Sequence, residues 1–268
     1  MIKLVAIDLD GTLLNDEKGV DLENIKAIQR VKSLGIKVVI CTGRPLFTAK
    51  PIIDLLGPVV SEDYLIIYNG AVLYRLDQKK LIYQKHLSLF DLKFFKQLMD
   101  ELDMPLNALT LDTIYESPKI IPGRPNLYRK AFPNAPFEKK NFDDFSEDQI
   151  FLKFVVTAEA SFLKQQMARI PRHLWDDYSI CLSHPFQLEV MAKEVSKSQT
   201  LKRLGDYLSI SMKEVLALGD QLNDMDLLQV AGIGVAMENA DDRLKEIADF
   251  VTKSNNQAGV AYALDHFI

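Results

Sequence analysis

Hydrophobic and polar positions alternate between two patterns over the first seventy residues. A continuous apolar run at residues 4–7 predicts a buried strand over 3–9, and the apolar segments at 38–41 and 64–68 predict two more strands. After Asp21, apolar residues recur every three or four positions, which predicts a helix with Asp21 as its N-cap and Gly35 at its end. The expected apolar face of this helix consists of Leu22, Ile25, Ile28, Val31 and Leu34. Strands that alternate with helices favour parallel crossovers, so we expect a doubly wound sheet.

The middle of the chain has a different pattern. Apolar residues at helical spacing predict a helix over 91–102, and a proline-containing, loop-rich stretch follows at 117–148. Strands are expected at 151–157 and, as two short segments around Pro185, at 178–191. This order indicates an α/β block with antiparallel pairing rather than simple strand–helix repeats.

The strand–helix rhythm returns in the last third, with a helix expected over 197–208 and a strand over 215–218. We therefore expect an α/β fold in which one mostly parallel sheet is interrupted by an insertion. The core domain is predicted to comprise residues 1–83 and 191–268, and the insertion residues 84–190. The insertion is expected to cover the carboxyl edge of the sheet, where open α/β folds bind ligands.

Composition narrows the class of protein. The 268 residues are 48% hydrophobic and 26% charged, which is typical of a globular chain and excludes a disordered one. Net charge is −5, so a nucleic-acid partner is not expected. No apolar run reaches the length of about 18 to 20 residues that spans a membrane, and no signal-peptide pattern opens the chain. Cys41 and Cys181 lie in apolar runs and are interpreted as buried thiols of a cytoplasmic protein, although a disulfide between them stays open.

Two aspartates lie at the end of the first predicted strand. Asp8 and Asp10 are separated by one residue, so both carboxylates can point to the same side. Gly11 permits a tight turn after them and Thr12 adds a hydroxyl group. Burial of two carboxylates is unfavourable unless a cation or hydrogen-bond donors compensate them. The alternative is a structural one, an Asx turn at the end of a strand.

A second acidic pair, Asp220 and Asp224, follows the strand that ends near Leu218. Helix capping explains part of this pattern, with Asn223 as the N-cap and acidic residues in the first turn, but it does not explain Asp220. Together with the first pair, these residues place three or four carboxylates at the carboxyl ends of strands. Such a group of like charges favours a hard divalent cation with oxygen ligands, and Mg²⁺ is the best fit.

Cationic and polar residues occur at the same predicted edge. Lys197 is expected in the first turn of a helix capped by Ser196, where a cation opposes the helix dipole. It suits a role in pairing with aspartates and an anionic ligand, although it could be an ordinary exposed lysine.

Two further polar segments follow predicted strands. The segment Thr42, Gly43 and Arg44 offers an anion cradle, or simply a strand-to-helix turn. Asn69 and Gly70 suit a hairpin turn, which does not exclude contact with a ligand.

These segments together resemble the four motifs of the haloacid dehalogenase-like phosphatases, in order and in spacing. The insertion position, the segment 69–71 and the closing segment around 251–261 are most similar to the Cof-type branch and its sugar-phosphate phosphatases. The resemblance covers the whole chain. It implies a Rossmann-like core with an inserted α/β cap that selects the substrate, and a Mg²⁺-dependent hydrolase of small phosphate monoesters. It departs from the family at Ser198, where glycine is common, and at Gln257-Ala258, where an acidic pair is common.

The resemblance also implies residue roles. Asp8 is the expected nucleophile and Asp10 the expected acid and base. Lys197 completes the catalytic set. The expected metal ligands are Asp8, the main-chain carbonyl of Asp10, Asp220 and Asp224. The expected substrate and phosphate contacts are Gly11, Thr12, Thr42, Gly43, Arg44, Asn69, Gly70 and Asn223.

Alternatives to a phosphatase remain open from the sequence. A phosphomutase of the same superfamily would yield an isomeric sugar phosphate rather than free phosphate. Two further alternatives belong to other functional classes. One is a sugar-phosphate-sensing regulator, and the other is a glycosyltransferase with a paired-aspartate motif. The expected partner is a small phosphorylated metabolite, and the oligomeric state stays undecided. Within the insertion, the candidates for substrate contact are Asp112, Thr113, Tyr115 and Arg124.

Overall fold

The computed structural model describes residues 1–57 and 63–268. The chain divides into two compact units, one formed by Met1–Gln84 together with Ser196–Ile268 and the other by Lys85–Val195. The first segment contains, in chain order, β1 (Leu4–Asp8), α1 (Leu22–Ser33), β2 (Lys37–Cys41), α2 (Leu46–Ile53), β3 (Tyr64–Ile67), β4 (Val72–Arg75) and β5 (Lys80–Gln84).

The second unit and the final segment complete the element order. The second unit contains α3 (Leu89–Glu101), β6 (Leu106–Leu109), β7 (Ile114–Glu116), α4 (Leu127–Ala131), β8 (Phe137–Lys139), β9 (Lys153–Thr157), α5 (Ala160–Met167), α6 (Arg172–Asp177), β10 (Tyr178–His184) and β11 (Gln187–Ala192). The final segment contains α7 (Lys197–Leu208), β12 (Val215–Gly219), α8 (Met225–Val230), β13 (Ile233–Ala236), α9 (Asp242–Ile247), β14 (Phe250–Val251) and α10 (Gly259–Phe267).

The sheet of the first unit has eight strands in the order β14-β13-β12-β1-β2-β3-β4-β5. The strands from β14 to β3 are parallel, and β4 and β5 add an antiparallel edge. Every residue of β1 is buried, which requires cover on both faces of the sheet. Helix α1 packs against α10, and α7 packs against α8. The expected α/β class with a mostly parallel sheet is confirmed.

The second unit is an α/β structure with its own six-stranded sheet, in the order β10-β11-β9-β6-β7-β8. Its pairs are antiparallel except for the parallel pair β7 and β8. Phe95 of α3 packs edge-on against Tyr178 and at a tilt against Phe154, which attaches the helix to the sheet. Tyr115 packs edge-on against Phe145, so its role within the unit includes packing.

Helix α1 shows one local prediction confirmed and another wrong. The Asp21 carboxylate accepts a hydrogen bond of 2.8 Å from the backbone N–H of Glu23, so Asp21 is the N-cap. Leu22 and Leu34, however, are exposed, and the buried residues are Asn24, Ala27, Ile28 and Val31. The Asn24 side chain accepts a hydrogen bond of 2.8 Å from the N–H of Ala261 in α10. The buried face is thus set by the neighbouring helix, and it includes a polar residue that hydrophobic spacing does not reveal.

The cysteines also differ from the expectation. Cys41 at the end of β2 is buried, but Cys181 on β10 is only partly buried, so the prediction of burial was wrong for Cys181. Both are thiols rather than halves of a disulfide. Within the two described stretches of chain, none of the helices combines the length and the apolar character that crossing a bilayer demands.

Candidate active site

The predicted site residues lie at one edge of the eight-stranded sheet. Because β12, β1, β2 and β3 are parallel neighbours, their carboxyl ends meet at this edge. Asp8 ends β1, Asp220 directly follows β12, and Thr42 directly follows β2. Ligand sites of open α/β sheets form at such an edge.

Three carboxylates meet there. Asp8, Asp220 and Asp224 are buried, and each offers an oxygen within 4.8 Å of the others; we call them the carboxylate cluster. Asp224 is held by its own loop, since its second oxygen accepts hydrogen bonds of 3.2 Å from the N–H groups of Asp220 and Gln221.

Asn223 does not have the predicted capping role. It lies inside a 3₁₀ turn, Leu222–Asp224, and α8 begins only at Met225. The expected N-cap was wrong, because Asp224 rather than Asn223 directly precedes α8. The Asp224 carboxylate does not cap that helix but accepts hydrogen bonds from the N–H groups of Asp220 and Gln221, just before the turn. Asn223 is half-buried. In the sequence it lies between Asp220 and Asp224, two members of the carboxylate cluster.

Lys197 is buried at the first position of α7. Its Nζ donates hydrogen bonds of 2.6 Å to Asp8 and to Asp224. Burial alone would lower the pKa of Lys197, but the charges of Asp224 and Asp8 outweigh it and raise the pKa, so the ammonium stays charged. Burial, with the charges of Asp224 and Asp220, raises the pKa of Asp8 well above its ordinary value in spite of Lys197. The reading of Lys197 as an exposed lysine is excluded.

Asp220 is positioned by the loop that follows Asp8. Its Oδ1 accepts a hydrogen bond of 2.9 Å from the Thr12 hydroxyl. Gly11 has φ of +80°, and a Cβ there would lie 2.2 Å from Asp220 Oδ2, so only glycine permits this approach. Burial and the charge of Asp224 raise the pKa of Asp220 to about 6, although the hydrogen bonds from Thr12 and Gln221 oppose the shift.

Asp10 is paired separately from the carboxylate cluster. The Arg44 guanidinium binds it in bidentate geometry, with Nε and Nη2 each 2.6 Å from one carboxylate oxygen. Lys18 Nζ lies 3.4 Å from Asp10 Oδ1. Burial would raise the pKa of Asp10, but the hydrogen bonds and charges of Arg44 and Lys18 lower it. Asp10 is therefore ionised in this arrangement.

The loops after β2 and β3 are bonded to each other. The backbone oxygen of Thr42 accepts the N–H of Asn69 at 3.1 Å, and the Thr42 hydroxyl accepts the N–H of Arg44 at 3.1 Å. A Cβ at Gly43 would lie 2.5 Å from Asn69 Oδ1, so the two loops are in close contact. Tyr68, Asn69 and Gly70 have φ between 53° and 101°, which makes a left-handed turn that connects β3 to the antiparallel β4. The hairpin expected at Asn69 and Gly70 is present.

The donor set of the carboxylate cluster fits a divalent cation. Three carboxylates and one ammonium leave two negative charges in a buried site when all are ionised. All donors are oxygens, which suits Mg²⁺ rather than a metal that prefers sulfur or nitrogen. Asp8, Asp220 and Asp224 are the side chains that would hold it.

The raised pKa of Asp220 predicts how stability depends on pH in the absence of divalent cations. The ordinary pKa is 3.8 and the folded value about 6, so the folded state binds more protons between these values. Stability therefore falls as pH rises through this window. In EDTA, the melting temperature of the wild type should fall relative to that of Asp220→Asn between pH 4 and pH 7. A constant difference between the two proteins over this range would contradict the assigned cause.

Some contacts of the site were not foreseen from the sequence. The side chain of Asn239 donates to the backbone oxygen of Gly11 at 2.8 Å and accepts the N–H of Asn255 at 2.9 Å. The Asn255 side chain donates to the Leu14 oxygen at 3.0 Å and to Asp16 at 3.1 Å. These asparagines hold the loop that follows Asp8. The sequence carried one weak signal, the resemblance of the segment around Asn255 to the closing segment of the family.

A model of the haloacid dehalogenase-like hydrolases matches residues 5–264. The chain belongs to this family. The family expected from the motifs, with its Cof-type branch, is confirmed. The chain is 32% identical to the putative phosphatase YxeH of Bacillus subtilis, over 100% of this chain and 99% of that protein.

Another relative and a solved structure agree with this membership. The chain is 32% identical to the B. subtilis 5-amino-6-(5-phospho-D-ribitylamino)uracil phosphatase YcsE, over 100% of this chain and 96% of that protein. It superposes on the crystal structure of a haloacid dehalogenase-like hydrolase from Bacteroides thetaiotaomicron with a TM-score of 0.87 and 25% identity, over 100% of both chains. The chain is accordingly a phosphatase of the haloacid dehalogenase-like family.

Proposed function

We propose that the chain is a Mg²⁺-dependent phosphatase of small phosphate monoesters, in particular sugar phosphates, and that Asp8 carries the phosphoryl group as an intermediate. The observation that carries the proposal is the buried arrangement of Asp8 beside Lys197 and the other cluster carboxylates. A carboxylate nucleophile divides the hydrolysis into two easier steps. Bound Mg²⁺ supplies positive charge beside the oxygens of the transferred group.

Asp8 and Asp10 have separate roles in the two steps. In the first, an Asp8 oxygen bonds to phosphorus, the bond from phosphorus to the ester oxygen breaks, and Asp10 donates a proton to the departing alcohol. In the second, Asp10 takes a proton from water, the water oxygen bonds to phosphorus, and the bond to Asp8 breaks to release phosphate. The pairing with Arg44 suits Asp10 as the base. Proton donation requires Arg44 to loosen its bidentate contact, and an incoming phosphate is an alternative partner for that guanidinium.

The remaining motif residues suit recognition of the phosphate. Thr42 and Lys197 place a hydroxyl and an ammonium at the sheet edge, and Asn223 lies in the loop between Asp220 and Asp224. Lys197 offers its charge to the phosphoryl oxygens as well as to Asp8. We also propose that the protein acts in the cytoplasm, since its two thiols suit a reducing compartment.

Among phosphate monoesters, sugar phosphates are the proposed substrates. The relative YcsE is named for a substrate whose phosphate is attached to a ribityl chain, a sugar alcohol. The test is a panel of phosphorylated metabolites assayed for release of inorganic phosphate. Release from sugar phosphates, ahead of nucleotides and phosphoamino acids, supports the proposal. An isomeric sugar phosphate without free phosphate would instead identify a phosphomutase.

We further propose that the unit Lys85–Val195 selects the substrate. None of the motif residues belongs to it. It contains a cavity of about 470 Å³ whose lining includes the cationic side chains of Lys119, Arg124 and Lys139. The Arg124 guanidinium lies 3.6 Å from the centre of the Phe162 ring. Of the other candidates in this unit, Asp112 is exposed and Thr113 bonds to Thr110 within its own turn.

Arg124→Ala should therefore change the order of preference among sugar phosphates. Loss of a charged hydrogen-bond donor is expected to reduce kcat/KM by about tenfold or more for the substrates that use it. Hydrolysis of p-nitrophenyl phosphate should stay at the wild-type rate. Arg172→Ala, an exposed arginine at the start of α6, is the matched control. An unchanged order of preference in Arg124→Ala would contradict the role of this residue.

A further inference from the structure

Lys197 places an ammonium group in the first turn of α7, where the helix dipole disfavours a positive charge. The ammonium lies at the positive end of the helix dipole and is buried. It nevertheless makes two hydrogen bonds of 2.6 Å, to Asp8 and to Asp224. Contacts elsewhere must therefore fix the position of this turn.

One such contact is with the turn after β3. The Thr200 hydroxyl donates a buried hydrogen bond of 2.6 Å to the backbone oxygen of Gly70. Gly70 has φ of +101°, and a Cβ there would lie 2.2 Å from the Ser196 oxygen and 3.1 Å from the Lys197 nitrogen. The backbone of Gly70 thus lies directly against the residue that precedes Lys197, and no side chain can occupy that space.

The turn that contains Gly70 is itself held in an unusual conformation. Tyr68 and Asn69 have φ of 53° and 55°, a left-handed conformation that is unfavourable for tyrosine and better tolerated by asparagine. The Tyr68 N–H donates to the Arg44 oxygen at 3.2 Å, and the Asn69 N–H donates to the Thr42 oxygen at 3.1 Å. The same turn therefore contacts the Thr42–Arg44 loop on one side and the start of α7 on the other.

A second contact fixes the first turn of α7 from another direction. Ser198 is buried, and its hydroxyl donates a hydrogen bond of 2.5 Å to Asp226 in the first turn of α8. Asp226 follows Asp224, a partner of Lys197, by two residues.

We propose that Thr200 with Gly70, and Ser198 with Asp226, are positioning residues for Lys197. The proposal rests on the phosphatase function proposed above. It adds Thr200, Ser198 and Asp226, none of which belongs to the carboxylate cluster or to the expected phosphate contacts. Gly70 then acts through the backbone of α7. A displacement of Lys197 by about 1 Å is enough to lower catalysis by about a hundredfold.

The test compares Thr200→Val with Thr200→Ser. Valine keeps the shape of threonine and removes the donor, whereas serine keeps the hydroxyl. With p-nitrophenyl phosphate and Mg²⁺, we expect roughly a ten- to hundredfold loss of kcat in Thr200→Val and near wild-type kcat in Thr200→Ser. Ser198→Ala should lose kcat by roughly fivefold, and it replaces Thr200→Val as the test if that variant does not fold.

A combination with Lys197→Met separates positioning from a general structural role. If Thr200 acts through Lys197, Thr200→Val should cause less than about a twofold further loss of kcat in the Lys197→Met background. A loss of the same size in both backgrounds would contradict the proposal. So would equal kcat values for Thr200→Val and Thr200→Ser.

A crystal structure of Thr200→Val gives a readout that does not depend on activity. The Lys197 Nζ should lie beyond hydrogen-bond distance of Asp8 or Asp224 in this variant and within it in Thr200→Ser. An unmoved Nζ would overturn the positioning role even if the wild type is an efficient phosphatase. A wild type that releases no phosphate from any ester would overturn the proposed function, while the crystallographic comparison would still decide the positioning.

Discussion

Asp8→Asn should abolish phosphate release, with a loss of at least about a thousandfold in kcat. Asparagine has nearly the same shape as aspartate but supplies no carboxylate oxygen to bond to phosphorus. The fold should survive, because burial and the neighbouring charges of Asp224 and Asp220 already make the Asp8 charge unfavourable. The measurement is the rate of release of inorganic phosphate, together with a melting curve.

Asp206→Asn provides a matched control, since Asp206 is an exposed residue of α7 in the same unit. It should keep wild-type activity and stability. Retention of more than about a tenth of the activity in Asp8→Asn would show that another group attacks the phosphorus. An Asp8→Asn protein that unfolds would instead show that the Asp8 contact with Lys197 is required for folding.

Removal of divalent cations by EDTA should eliminate activity, and Mg²⁺ should restore it. Added Mg²⁺ should balance the two negative charges of the carboxylate cluster that Lys197 does not neutralise. Ca²⁺ should not restore activity, because its larger and more variable coordination shell misplaces the phosphate. The measurement is phosphate release after each addition.

Thermal unfolding provides an independent measure of cation binding. A cation that binds only the folded state raises the melting temperature, and the rise increases with its concentration. Mg²⁺ should therefore stabilise the wild type and have a much smaller effect on Asp220→Asn. Full activity in EDTA, in protein shown by elemental analysis to contain no metal, would rule out the proposed Mg²⁺ requirement.

Much of the site could be predicted because its residues follow buried strands directly. The apolar run before Asp8, and the one before Asp220, identify β1 and β12 from local pattern alone. Once those strands are parallel neighbours, their carboxyl ends must converge. Pairing of Lys197 with aspartates was one of two interpretations that the sequence left open, and it was suggested because a cation is unfavourable at the start of a helix unless a partner compensates it.

The features that were missed depend on contacts between residues that are distant in the sequence. Thr200 bonds to Gly70 across 130 positions, and Asn255 bonds to Leu14 across 241. No periodicity or local turn preference encodes such pairs. Leu22 and Leu34 were placed on the buried face of α1 because hydrophobic spacing does not show where a packed surface ends.

The position of β1 between β2 and β12 has a consequence for the growing polypeptide. Leu4 of β1 pairs with Val215 of β12, so the strand that carries Asp8 has a free edge until a segment more than two hundred residues further along the chain has been synthesised. A ribosome-bound chain that has reached residue 214 contains Asp8 and Lys197 but lacks Asp220 and Asp224. It can neither complete the sheet nor assemble the cation site. Catalysis therefore becomes possible only after residue 224 has been synthesised, and the unpaired edge of β1 favours aggregation until then.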